Sequence, residues 1–307
     1  MSDAGNKRIA VLMGGRSRER EISLVTGREC AAALRQAEFQ DVTELDMADN
    51  PVARLTEAKP DICFNALHGP LGEDGSIQGL LNVMRIPYTH SGVLASSVAM
   101  HKEHAKRFAQ SVGIRCPQGA RFDRSRFFSQ EFTRPYVVKP VNDGSSINTY
   151  VVRDPAVRPF EQDAWPYHAP ALVEEFIQGV ELTVTVLDGK ALTVTEIVPA
   201  TGFYDFKAKY APGASRHVLP ARIPEQVFSE CLEWAEKIHF QLECRGISRS
   251  DFIYDEARGG DGLFFLEVNT QPGMTPTSLA PEQAKHCGIS FPQLVSRLID
   301  CAALDGE

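Results

Sequence analysis

The stretch LFFLEVNTQPGMTPTSL, Leu263 to Leu279, decides how this chain is read. Phe264, Leu266 and Val268 alternate with Phe265, Glu267 and Asn269, so a period of two makes it a strand with one apolar side. Glu267 and Asn269 then share a face. Two hard oxygen donors at the end of a buried strand, with Gln271-Pro272-Gly273 turning the chain after them, suit a divalent cation such as Mg²⁺. A solvated strand end has the same spelling, so the neighbouring sequence decides. Just upstream, Ile247 to Tyr254 (ISRSDFIY) has the same period and sets Arg249 and Asp251 on one face, while Asp255 to Gly262 (DEARGGDG) reads as the return turn. Such a hairpin brings Asp251 beside Glu267 with Arg249 close by, which is a metal and phosphate site with a cation attached.

The rest of the chain is large enough to build a scaffold around that hairpin. With 307 residues, 43% hydrophobic and 23% charged, it predicts two or three globular domains. A net charge of -8 argues against nucleic-acid binding, which leaves a basic footprint, and favours small-molecule partners. Seven scattered cysteines, none spaced Cys-x-x-Cys, argue against a disulfide framework or a zinc site and read as reduced thiols. The polar start Met1 to Lys7 and the lack of an apolar run near the ~20 residues that span a bilayer predict a cytoplasmic protein with no membrane partner.

Arg8 to Met13 is an apolar run ending at Gly14-Gly15, and Ile22 to Leu34 has helical spacing, so an α/β unit opens the chain. The turn lacks G-x-G-x-x-G, which weakens a dinucleotide reading. Asp61 to Leu67 then leads into the glycine-rich loop His68 to Gly75, at the carboxyl end of a strand where open α/β sheets bind ligands, before a helix from Ile77 to Met84. The first unit ends near residue 97, and a helix is expected from Ser97 to Val112. His101 and His104 share a face of it, yet no third soft ligand is in register for zinc. Tyr136 to Pro140 hands Lys139 to the small-residue loop Val141 to Ser146, whose backbone N–H groups suit phosphate oxygens; the order of residues is not that of a P-loop.

Arg153 to Pro170, rich in proline and without period, reads as a surface connection. Ala171 to Gly179 is an apolar strand carrying Glu174 and Glu175, and Val180 to Leu187, with Glu181, turns at Asp188-Gly189. Adjacent carboxylates on a strand face opposite ways, so Glu174 and Glu175 cannot flank one glycosidic bond. Pro199 to Pro220 holds Phe203, Tyr204, Phe206 and Tyr210 without steady period and reads as a lid. Ile223 to Leu242 and Phe291 to Leu304 are amphipathic helices.

Arg249, Asp251, Glu267, Asn269 and Gly273 in this order resemble the ATP-grasp enzymes, and Met274 to Leu279 narrows the resemblance to the D-alanine-D-alanine ligase family. It covers essentially the whole chain. It implies an α/β, three-domain ATP-grasp architecture with an amino-terminal Rossmann-like domain: 1–97 for substrate, 98–182 central, and 183–307 catalytic. It also implies that two D-alanines are joined through a D-alanyl phosphate for cell-wall peptidoglycan, with ATP as co-substrate and two Mg²⁺ or Mn²⁺ as cofactors, in a homodimer.

The resemblance carries roles residue by residue. Glu21, with Ser23 beside it and His68 in the loop, would anchor the first D-alanine. Lys102, Lys139 and Lys209 would meet phosphates, with Ser145 and Ser146 in the flap. Glu174 and Glu181 would bond base and ribose, and Glu175 and Ile177 would give backbone contacts. Tyr210 would bridge Glu21 and Ser145. Asp251, Glu267 and Asn269 would hold the metals, Arg249 and the Gly273 N–H the oxyanion, and Ser278 with the Leu279 N–H the second carboxylate. Asp143 and Ile147-Asn148 depart from the family's flap, where glutamate and Val-Gly are common. A same-fold ligase or carboxylase for another carboxylate, and a nucleotide-binding regulator that does not turn over, are the rival readings.

Overall fold

Three sheets follow one another along the chain. The structure, a computed structural model, describes residues 7–132, 135–142, 144, 148–154, 156–167, 170–199, 215–275 and 277–306. In the first sheet β1 (Arg8–Met13) lies between β2 (Asp41–Asp46) and β3 (Ile62–Asn65), all parallel. Ile9 to Met13 are buried because helices cover the sheet, as parallel strands require. Its helices are α1 (Arg20–Gln36), α2 (Pro51–Ala58) and α3 (Ser76–Met84).

The second sheet, ordered β4-β7-β5-β6, is antiparallel and contains β4 (Gly119–Phe122), β5 (Tyr136–Pro140), β6 (Tyr150–Val152) and β7 (Ala171–Glu175). α6 (Arg124–Ser129) brings the fully buried Phe127 against it. The segment expected as a surface connection is instead part of this core. Phe160 stacks on Phe127 at 5.6 Å, Trp165 lies 5.4 Å away, and Tyr167 is buried. Its prolines obscured the period, and its aromatic residues cover the sheet face that α6 is too short to close.

The third sheet, ordered β10-β9-β8-β11-β12, is also antiparallel: β8 (Val180–Leu187), β9 (Lys190–Pro199), β10 (Ser215–Val218), β11 (Ile247–Tyr254) and β12 (Leu263–Asn269). Asp188 and Gly189 take φ of 51° and 76°, the left-handed pair that a two-residue hairpin turn needs. α7 (Glu225–Gln241) and α5 (Lys102–Ser111) pack a continuous core on this sheet through Trp234, Ile238 and Ala109. α8 (Leu279–His286) and α9 (Phe291–Asp300) join Leu294, Leu298 and Ile299 to Ile9, Leu34 and Phe64 of the first unit. Each such buried side chain contributes about 1.5–3 kcal/mol, so the catalytic hairpin and the first sheet are held in one frame.

Three expectations of local structure need revision, while the domain bounds 1–97, 98–182 and 183–307 remain a proposal. The helix read from Ser97 to Val112 is two, α4 (Val93–Met100) and α5, because His101 leaves helical geometry and its Nδ1 caps the His104 N–H at 3.2 Å. Ser215–Val218, expected as loop, pairs with β9. Residue 97 falls inside α4 and residue 182 inside β8. Strict alternation in β12 also fails: the register slips between Asp251 and Phe252, Leu266 is the extra residue, and Phe265 joins Val268 in the core.

Candidate active site

The hairpin forms as its sequence requires. β11 and β12 pair with Arg249 opposite Asn269 and Asp251 opposite Glu267. The bulge at Leu266 keeps Phe265 in the core while Glu267 and Asn269 turn into a pocket. That pocket collects Arg249, Glu267, Asn269 and Gly273 from the hairpin, Lys102 from the start of α5, Gly144 from the flap, and Glu19, His68 and Glu73 from the first unit.

Within the pocket, charge is paired before any ligand arrives. Arg249 forks onto Asp251 at 2.9 and 2.8 Å, and the Thr183 hydroxyl donates to the same carboxylate at 2.6 Å. Lys102 Nζ lies 3.3 Å from Glu267 Oε2, and its backbone N–H donates to Val141 O at 3.0 Å, which fixes the start of α5 beneath the flap. Beneath them Glu174 is buried with one oxygen on Lys106 and the other 2.8 Å from Lys139. Burial resists the Glu174 charge, yet the two ammonium groups win and hold its carboxyl below the usual range. Burial pulls Lys106 down to about 8 against the attraction of Glu174. Burial also opposes the Lys139 charge, but Glu174 and Glu267 both face it and keep its pKa raised.

The first unit corrects two sequence assignments. Glu21 is exposed on the first turn of α1, whereas Glu19, the cap residue before that helix, is 5% exposed and lines the pocket. Two residues are about 200° apart around a helix, so only one of the two glutamates can face inward. Ser23 is fully buried and committed elsewhere: it accepts from Gly14 N at 2.9 Å and donates to Ala66 O at 2.7 Å, tying the ends of β1 and β3. His68 does reach the pocket, its Nδ1–H donating to Glu73 at 3.0 Å and its Nε2 lying 3.0 Å from the Thr26 hydroxyl.

At the other end, Ser278 sits behind Gly273, where an added Cβ would approach Ser278 Oγ to 3.0 Å. Leu279 opens α8 and is buried. Glu175 Oε1 accepts from the Gln118 N–H at 3.0 Å, Ile177 is buried at the end of β7, and Glu181 opposes Ile253 in β11. Ser145, Ser146, Lys209 and Tyr210 lie outside the described residues. Asn148 takes φ of 54°, a conformation asparagine tolerates, so the missing flap glycine is accommodated there.

Sequence reasoning missed Glu19, Lys106 and Thr183. Lys106 was legible in principle, since it stands one helical turn after Lys102 and shares its face. Glu19 was hidden by a second acid in the same charged run.

Residues 116–300 match the family model described as D-ala D-ala ligase C-terminus, and residues 43–91 match D-ala D-ala ligase N-terminus. The chain belongs to the D-alanine-D-alanine ligase family. A D-alanine-D-alanine ligase of Ruegeria pomeroyi is 51% identical over 311 residues, 99% of each chain, and that of Zymomonas mobilis is 48% identical over 98% of this chain and 94% of its own. Among solved structures of the family, the Bacillus anthracis ligase complexed with ATP superposes with a TM-score of 0.79 at 28% identity, covering 96% of each chain. A D-Ala:D-Ser ligase from Enterococcus faecalis superposes at 0.78, also at 28% identity, covering 96% of this chain and 99% of its own. Of the pocket residues, His68 and Glu73 fall in the first matched segment and Gly144, Arg249, Glu267, Asn269 and Gly273 in the second.

The donors on the hairpin suit a hard cation. Asp251 and Glu267 oppose each other and Asn269 stands two residues along the same face, an all-oxygen set matched to Mg²⁺ shared with phosphate and water. Among the described residues no group of three His, Cys, Asp or Glu forms a metal cluster, so the amide of Asn269 is needed to complete the set.

Proposed function

We propose that this chain joins two D-alanine molecules into D-alanyl-D-alanine, with ATP converted to ADP and phosphate, as a step toward peptidoglycan. The observation that carries the reading is the single pocket in which Glu19 and His68 of the first unit face Arg249, Glu267 and Asn269 of the hairpin. Nucleotide would lie between the central and carboxyl-terminal units, with Glu175, Ile177 and Glu181 along its base and ribose and Glu174 acting through the two lysines that it binds.

In the first step the carboxylate of D-alanine attacks the γ-phosphorus; an O–P bond forms, the bond to the β-phosphate oxygen breaks, and ADP leaves. This step needs alignment and charge neutralisation more than covalent help. Lys102 and Lys139 supply positive charge, and the family resemblance adds Lys209, Ser145 and Ser146 as further phosphate contacts. Glu19 takes the ammonium of this first substrate in place of Glu21, held by the His68–Glu73 side of the pocket. Two Mg²⁺ or Mn²⁺ on Asp251, Glu267 and Asn269 would neutralise the phosphate charge. In the second step the neutral amine of the other D-alanine attacks the acyl carbon, a C–N bond forms, the C–O bond to phosphate breaks, and phosphate leaves with the proton shed by the nitrogen. Arg249 and the Gly273 N–H face the oxyanion, while Ser278 and the Leu279 N–H hold the second carboxylate. The family resemblance gives Tyr210 a bridging role toward the acid that holds the first substrate. A cytoplasmic homodimer fits this role, and no helix among the described residues is long and apolar enough to cross a membrane.

The test is phosphate release from ATP with D-alanine, L-alanine, D-serine, D-lactate or no addition, with product analysis. Release dependent on D-alanine, with dipeptide as product, is expected. Equal release with every addition would sink the assignment.

A further inference from the structure

The second-substrate end of the site rests on α8, and one fully buried polar side chain ties that helix to β8 and β9. α8 has eight residues, too few to hold a helix unaided, and Pro281 removes one of its N–H groups. Ser278 at its cap makes no side-chain bond to the helix; instead its Oγ accepts from Thr275 N at 3.1 Å and lies 2.7 Å from Thr275 Oγ1. The cradle for the second carboxylate is thus placed by whatever orients α8.

Gln283, one turn along, is fully buried. Its Oε1 accepts from Thr185 N at 2.8 Å, and its Nε2 donates to Thr183 O at 3.0 Å and to Thr195 Oγ1 at 2.9 Å. Both amide hydrogens are therefore used. β8 slips register against β9 between Val184 and Val186, at Thr185, and the glutamine amide supplies the partner that the irregular ladder lacks. Thr183 in turn donates its hydroxyl to Asp251 Oδ1 at 2.6 Å. A continuous chain of hydrogen bonds runs from the helix that carries Ser278 and Leu279, through Gln283 and Thr183, to Asp251. A buried apolar residue would fill the space without choosing a rotation or rise for the helix, whereas three directed bonds choose both.

We infer that Gln283 is a positioning residue for the second substrate, setting the distance between its carboxylate cradle and the face where the acyl phosphate forms. This role rests on the ligase reading above. It distinguishes the second D-alanine from the first, because Gln283 bonds to β8 and β9 whereas Glu19 precedes α1 and His68 follows β3.

Gln283→Met keeps the volume and removes all three bonds; Thr195→Val removes one of them from a different element. Rates across D-alanine concentration, fitted with separate constants for the two D-alanines, are compared with the KM for ATP. Equilibrium binding of labelled D-alanine with a non-hydrolysable ATP analogue provides a readout independent of turnover. The second constant is expected to rise roughly tenfold in Gln283→Met and about threefold in Thr195→Val, with the first D-alanine and ATP within about twofold of wild type. An unchanged second constant, or all three constants moving together, would overturn the role, and Thr195→Val decides it alone if Gln283→Met does not fold. Wild-type protein without D-alanine-dependent phosphate release would instead sink the ligase reading and this role with it.

Discussion

Two sets of paired charges lie within the same site and are built differently. In Lys106–Glu174–Lys139 the side chains are 6, 3 and 10% exposed, and the single carboxylate is shared by two lysines. On the hairpin, Glu267 is 26% exposed and lies near Lys102 and Lys139, while Asp251 is 18% exposed beside Arg249. The buried set is closed, because both carboxylate oxygens are bonded to lysines. The hairpin set is open, since it is the more exposed of the two and lines the pocket through Glu267 and Asn269. The closed set therefore lies beneath the pocket and the open set faces it, which in the proposed function is where a cation and substrate would be met.

The difference is broken most directly by removing the shared carboxylate. Glu174→Gln leaves two buried ammonium groups facing each other and is expected to cost about 3–5 kcal/mol in urea-induced unfolding, as breaking a buried pair does. Glu267→Gln and Asn269→Ala should do the reverse. Each removes an oxygen donor and no core volume, so stability should change little while kcat falls at least about a hundredfold at saturating Mg²⁺. Wild-type turnover in both variants would remove the open set from the chemistry.

A smaller effect distinguishes the two glutamates of the first unit. Glu19→Gln should raise the KM for the first D-alanine roughly tenfold, and Glu21→Gln should leave it unchanged, because only Glu19 faces the pocket. Steady-state rates on both variants check this, and equal effects would restore Glu21. The smallest effect is a pH dependence of stability. Lys106 titrates near 8 in the fold against 10.5 for a free lysine, so between these values the unfolded chain binds more protons. Its burial penalty is fully present below pH 8 and fades as pH rises toward 10.5. The stability gap between wild type and Lys106→Met should change across that window and stay flat from pH 6 to 7.5. For Glu174, whose pKa is lowered, the sign is opposite: its contribution is present above the carboxylate range and lost on acidification. A gap that is flat from pH 6 to 10 would place the Lys106 titration elsewhere.

Strand periodicity and turn residues made the hairpin legible, down to Arg249 and Asp251 against Asn269 and Glu267, because pairing across a tight return is a local property of the chain. The same holds for β5, whose bounds Tyr136–Pro140 follow from a short apolar run, and for the turn at Asp188-Gly189. Properties that depend on distant partners were not legible. Leu266 is a bulge because Phe265 must reach the core formed with Trp234 and Phe252 while Glu267 faces the pocket, and alternation alone assigns both to one side. His101 breaks a helix whose periodicity runs through it, since only the capped start of α5 brings Lys102 to Glu267. The choice of Glu19 over Glu21 depends on where α1 begins against the sheet, and Lys106 acquires its role only when β7 delivers Glu174 from 68 residues away. The sequence by itself determined the local periods, the turns and the ligating residue types, because these follow from neighbours in the chain. Which face each residue presents and which charge it meets were decided by the tertiary structure, because burial and Coulomb attraction act between residues that only folding brings together.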